Sequence, residues 1–267
     1  MVRLTAGKVY VGVAQGSQLT LPVEVERVEI RGPHPAGNVG VLINHTAPVN
    51  QGDTVWTLRA TDVALIGRLL KTGHVDYTRR IAITGSHAAE HGYMDLLPGC
   101  RLESLGKLAQ DGGKMRIIAG DVLTGTQLTE ERPFLPMSCD QITVIPDGSD
   151  RDELLGWAMP RLGEFSQSRT YLSWLMPRKR YTLDARLKGG KRAMIMSHEL
   201  QSVFPLDIHA EYLLKAIIAF DIDKMEELGI YEVAPEDFAL CEFVDTSKME
   251  LQHIVRQGLD LLYKEMN

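Results

Sequence analysis

The stretch RGPHPAGNVG (31–40) constrains this chain more than any other ten residues in it. Pro33 and Pro35 fix their own φ and push Gly32 and His34 toward extended backbone, while glycine at 32, 37 and 40 is free to take φ > 0. The spacing predicts a stiff turn with swivels at both ends. His34, held between two prolines with no helical or strand neighbours, is expected to point outward as a contact residue. Ahead of the turn, VYVGV (9–13) and VEVERVEI (23–30) read as strands, the second alternating apolar and charged side chains.

Further along, TDVALIGRLLKTG predicts one short helix, with Thr61 or Asp62 as N-cap, Val63, Ile66 and Leu70 on one face, and Gly73 just past its end. RRIAITGS (79–86), YMDLLPG (93–99), MRIIAGDVLTG (115–125) and DQITVI (140–145) are strand-like, with a helical turn in RLESLGKLA. After Pro146 the texture becomes helical, in DRDELLGWA, HAEYLLKAIIAF, DIDKMEELGI, PEDFALCEF and KMELQHIVRQGLDLLYKEM. Three regions are expected, 1–78, 79–147 and 148–267: an α/β part, a β-rich part with little helix, and a mostly α part.

Charge separates along the chain. Residues 193–267 hold fifteen acidic and five basic side chains, so a net of −6 for the whole leaves +4 on residues 1–192. The run PRKRYTLDARLKGGKR (177–192) sets Arg178, Lys179, Arg180, Arg186, Lys188, Lys191 and Arg192 against the single acid Asp184. Such a run is a solvated loop or a contact with an acidic partner or anionic headgroups. The acidic balance argues against a general nucleic-acid binder, and the apolar stretch LLKAIIAF (213–220) is too short to span a bilayer. Cys100, Cys139 and Cys241 are too sparse for a disulfide framework and form no CxxC.

Catalytic signatures are few. HAAEH (87–91) has the His-x-x-Glu-His pattern of a zinc hydrolase, but that chemistry needs both imidazoles on one helical face. Clamped between TGS and GY among strands, the segment reads instead as a polar hairpin loop. Ser86 beside His87 lacks the glycine of a nucleophile elbow, and neither GxGxxG nor GxxxxGK[ST] occurs. LKGGKR (187–192) reads as a flexible basic loop, and Trp157, Trp174, Met159 and Met176 as core.

In order and spacing, GPHPAGNVGVLIN, DTVWTLRATDVALIGRLLKTG, GDVLTG and PEDFALCEFVDTSKMEL resemble the A subunit of the sodium-translocating NADH:quinone oxidoreductases, from about Val9 to the C-terminus. The resemblance implies the later part of a Rossmann-like domain over 1–78, a β-grasp domain of the soluble-ligand-binding (SLBB) type over 79–147 and a helical domain over 148–267, as in a C-terminal fragment of the family's longer chain. It also implies a peripheral protein on the cytoplasmic face of the bacterial inner membrane. There it would support electron transfer from NADH to ubiquinone coupled to Na+ export, beside the other subunits and the membrane-embedded B subunit in particular. FMN, FAD, riboflavin and iron–sulfur groups are expected on those other subunits, with no cofactor or metal and no catalytic residue in this chain. Where family members often carry cysteine after the Phe-Val of the last motif, Asp245 stands here, which argues against a residual cluster. Gly32, Pro33, His34, Pro35, Ala36 and Gly37 become the candidate contact with quinone or a partner, and the basic run a candidate contact with the membrane partner. Two alternatives remain: a zinc hydrolase and a stand-alone quinone-binding module. The related ferredoxin-linked protein with two CxxCxxC clusters is excluded by the scattered cysteines.

Overall fold

A parallel pair of strands begins the fold: β1 (Val9–Ala14) and β2 (Val25–Ile30) run in register from Val9 opposite Val25 to Ala14 opposite Ile30. The computed structural model describes residues 2, 7–110, 112–149, 161–166, 169, 171–187 and 189–266. These form two compact units, one made of the N-terminal residues to Thr57 with Ile195–Asp245 and Glu250 onward, the other of Leu58–Met194 with Thr246–Met249.

In the first unit the turn after β2 leads into α1 (Val39–Thr46), a helix that the glycine-rich sequence did not predict. The rest of the unit is helical: α3 (Glu199–Val203), α4 (Ala210–Ile218), α5 (Ile222–Glu227), α6 (Ala239–Val244) and α7 (Leu251–Glu265). α4 buries Ala210, Leu213, Leu214 and Ile217, and α7 buries Leu251, Val255, Gly258 and Leu262, each spacing marking one helical stripe. Phe238, Met225 and Ile230 are fully buried, and the rings of Phe204 and Phe238 lie 4.6 Å apart. Each such side chain contributes roughly 1.5–3 kcal/mol by leaving water. PEDF, expected to open a helix, forms instead a 3-10 turn (Pro235–Phe238) that runs straight into α6.

The second unit starts with α2 (Ala60–Thr72), which ends on Gly73 at φ 73°, as its sequence predicts. A five-stranded sheet follows, ordered β4–β3–β7–β5–β6, from β3 (Arg79–Thr84), β4 (Gly92–Leu96), β5 (Met115–Ala119), β6 (Thr126–Gln127) and β7 (Gln141–Pro146). β3 pairs antiparallel with β4 and parallel with the last strand β7, while β5 pairs antiparallel with both β7 and β6. That is the strand arrangement of a β-grasp sheet. Its core gathers Ile81, Ile83, Leu105, Leu108, Leu135, Ile142 and Val144.

Two expectations for this unit change. MRIIAGDVLTG is strand only as far as Ala119, because the Asp121 carboxylate accepts from the Leu123 and Thr124 amides and turns the chain. RLESLGKLA gives a 3-10 turn (Leu102–Leu105) rather than a helix. α2 is tied to the sheet by Arg79, whose guanidinium meets Asp62 closely, Thr61 Oγ1 at 3.2 Å and Asp140 at 3.5 Å. Hydrogen bonding to Arg79 holds the Asp62 carboxyl below the ordinary range.

Candidate functional site

The candidate turn named from the sequence follows the carboxyl end of β2. Gly32 takes φ 137°, and a Cβ there would stand 3.3 Å from the Ala36 Cβ. Two stacked turns follow: the Ala36 amide donates to the Pro33 carbonyl at 3.0 Å, and the Asn38 amide to the Pro35 carbonyl at 2.8 Å. The His34–Pro35 peptide is cis. Gly32, Pro33, His34 and Gly37 are exposed, and Pro35 and Ala36 are half-buried. His34 faces water, as the sequence leads one to expect. Gly37 and Gly40, though free to take positive φ, do not adopt it.

Gly40 is required for another reason. It lies in the first turn of α1, where an added Cβ would sit 2.9 Å from both carboxylate oxygens of Asp237. Asp237 is 1% exposed. One of its oxygens, Oδ2, accepts from the Ala234 amide at 2.8 Å, and Oδ1 has no hydrogen-bond partner among the described residues. Burial, with the nearby Glu236 charge, pushes its carboxyl up to about 6. One turn further, Asn44 Nδ2 donates to Glu232 Oε2 at 2.7 Å. The two most specific sequence motifs, GPHPAGNVG and PEDFALCEF, therefore meet in one place. Nothing in the sequence spacing reveals that contact, because Gly40 reads there as a turn residue.

The basic run lies in the second unit and divides. Arg178, Lys179 and Arg180 are exposed; Lys179 Nζ donates to the Leu162 carbonyl at 2.9 Å and lies 5.7 Å from the Tyr181 ring. Arg186 turns inward to pair with Asp184 through Nε at 2.7 Å and with Glu164 at 3.7 Å. Lys191 and Arg192 are exposed, Arg192 donating to the Thr246 and Ser247 carbonyls at 3.2 and 2.8 Å. Lys188, Trp157, Met159 and the whole segment DRDELLGWA lie outside the described residues. Trp174, read from the sequence as core, is 50% exposed.

HAAEH forms the loop between β3 and β4, so no helical face aligns its histidines. His91 Nε2 donates to the Gly85 carbonyl at 3.0 Å, and His87 Nδ1 lies 3.1 Å from Ser86 Oγ. Among the described residues no group of three His, Cys, Asp or Glu is placed to hold a metal ion. Burial pushes the Cys241 thiol up to about 12, helped by the charges of Glu211 and Asp245.

The chain has an α/β part, a mixed five-stranded sheet and terminal helices, and family descriptions match the first two. Residues 1–75 match "NqrA second alpha/beta domain" and residues 80–130 match "NQRA C-terminal domain", described as the NqrA SLBB domain. Proteins named as the A subunit of Na(+)-translocating NADH-quinone reductase are 34% identical in Rhodopirellula baltica, 35% in Vibrio atlanticus and 36% in Yersinia pestis, over 99%, 98% and 99% of this chain. The chain spans 59–60% of the length of these relatives. It is a homologue of those proteins and carries their NqrA domains.

Proposed function

We propose that this chain serves as the A subunit of a Na+-translocating NADH:quinone reductase, supporting electron transfer from NADH to ubiquinone coupled to Na+ export. The observation that carries the reading is the similarity along nearly the whole chain to proteins of that name. In this reading the chain is a cofactor-free docking scaffold. Redox groups (FMN, FAD, riboflavin and iron–sulfur) sit on other subunits, and the chain lies at the cytoplasmic face against the membrane-embedded B subunit. No helix among the described residues is long and apolar enough to cross a membrane, which agrees with a peripheral position. In the same reading, residues 1–78 belong to a Rossmann-like domain, 79–147 to an SLBB domain and 148–267 to a helical domain. These boundaries differ from the compact units, which join the N-terminal residues to those after Ile195.

A tagged chain expressed beside the membrane subunits is expected to co-purify with them from detergent extracts. A folded chain that recovers none of them overturns the reading. A second, narrower role follows from the exposure of the His34 turn at the carboxyl end of a parallel strand, where α/β folds take their ligands. His34 is then a hydrogen-bond donor to a quinone carbonyl, with Gly32, Pro33, Pro35, Ala36 and Gly37 shaping its surroundings. Titration with a short-chain ubiquinone, followed by tryptophan fluorescence, is expected to saturate and to weaken in His34→Ala. Equal affinity in the variant removes quinone from this turn.

A further inference from the structure

The second unit carries a surface whose chemistry neither its β-grasp sheet nor the candidate turn uses. Residues Leu172–Leu175 form a 3-10 turn held from beneath: Tyr171 and Ser173 are buried, and Arg161 stacks 5.8 Å from the Tyr171 ring. The Ser173 carbonyl accepts from the Tyr181 hydroxyl at 3.1 Å and from the Met176 amide at 2.9 Å, and Phe165 packs edge-on against Tyr181. Pinned this way, the turn presents Leu172, Trp174 and Leu175 outward, 44%, 50% and 58% exposed. The chain next delivers Arg178, Lys179 and Arg180, all exposed.

The local charge balance decides what this surface fits. Its acids are already engaged, since Glu164 lies 3.9 Å from Arg161 and 3.7 Å from Arg186, and Asp184 pairs with Arg186. Arg178 and Arg180 have no ion-pair partner among the described residues. The surface is thus cationic on a chain whose net charge is −6. An indole and two leucines on a rigid turn, flanked by unpaired arginines, match the boundary between lipid headgroups and acyl chains: indole rings favour that depth, and arginines meet anionic headgroups. An acidic protein surface would account for the arginines and leave the leucines and indole exposed to water.

We propose that residues 172–180 form a membrane-surface anchor that binds anionic lipid headgroups, with Trp174 and Leu175 entering the interface and Arg178 and Arg180 on the phosphates. This anchor is independent of the assignment to a reductase and needs no other protein. The test uses the purified full chain with vesicles of phosphatidylglycerol and phosphatidylcholine, or of phosphatidylcholine alone, in flotation and in fluorescence of a variant whose only tryptophan is Trp174. Binding is expected only with phosphatidylglycerol, with a blue shift of Trp174 emission and loss of binding in high salt. Arg178→Gln with Arg180→Gln should lower partitioning about thirty-fold, at about fivefold per cation, and Trp174→Ser about tenfold. Unchanged thermal melting of both variants shows that they remain folded. Equal binding to neutral vesicles, binding unaffected by either variant, or association only with membranes that contain partner proteins would each overturn the anchor. The last outcome would hand the surface to a protein contact while leaving the reductase reading intact.

Discussion

Replacing Gly40 by alanine tests why two distant motifs meet. In a free helix this change is worth roughly 0.5–1 kcal/mol in favour of alanine, because glycine loses more backbone freedom on folding. Here the new Cβ would lie 2.9 Å from both oxygens of Asp237, about half an ångström inside ordinary contact. The carboxylate has little room to yield, being 1% exposed and fixed by the Ala234 amide at 2.8 Å. Overpacking of this kind costs about 1–3 kcal/mol, so the net expectation is a loss of about 1–2 kcal/mol. Thermal unfolding followed by circular dichroism should show a fall of roughly 3–6 °C. The decisive comparison is a second background. In Asp237→Ala the obstruction is gone, and Gly40→Ala should become neutral or stabilising there, a non-additivity of about 2 kcal/mol. If Gly40→Ala stabilises the native sequence, or costs the same in both backgrounds, the close approach is not what selects glycine at this position.

The same carboxyl gives a pH dependence of unusual sign. Asp237 is raised from 3.8 to about 6 in the folded chain, so between these values the native state binds the extra proton and stability falls as pH rises, by about 3 kcal/mol in all, then levels off. Denaturant melts from pH 4 to 7 should show this fall in the native sequence, and Asp237→Asn should remove that part of it. Arg79→Met should cost about 2–3 kcal/mol in a urea melt, because it strips Asp62 and Asp140 of a cation whose side chain is 4% exposed; a loss below about 0.5 kcal/mol would mean that α2 is held by other contacts. With a thiol reagent at pH 8, the buried Cys241, pushed up to about 12, should stay unmodified in the folded chain while half-buried Cys100 reacts, and mass spectrometry of the labelled peptides would read both.

Local signals in the sequence located most elements. Alternation in VEVERVEI marked β2, Gly73 marked the end of α2, and apolar spacing marked α4 and α7. What the sequence hid is non-local. α1 escaped notice because Gly37, Asn38 and Gly40 are turn residues by propensity, and its helix is secured by contacts such as Asn44 with Glu232, 188 residues away. The strand expected through GDVLTG stops at Ala119 because a single carboxylate captures two amides. Trp174 counted as core by residue type, yet on its 3-10 turn it is Tyr171 and Ser173 that are buried and the indole that is half exposed. Of the candidate site, the outward His34 was legible from two prolines, whereas Asp237 was not, since nothing in PEDFALCEF says which of its acids is buried.

The order in which the chain is laid down bears on how it is made. The first unit takes its opening residues to Thr57 and its closing helices from opposite ends of the sequence, with the second unit's Leu58–Met194 between them. On a ribosome adding about 5–20 residues per second, β1, β2 and α1 emerge roughly ten to forty seconds before the last helix they fold with. A two-stranded sheet is marginal by itself, so within this unit β1, β2 and α1 gain their packing only when the helices after Ile195 have been made. The second unit, whose five-stranded sheet is complete by Pro146, can therefore form before the unit that encloses it in the sequence.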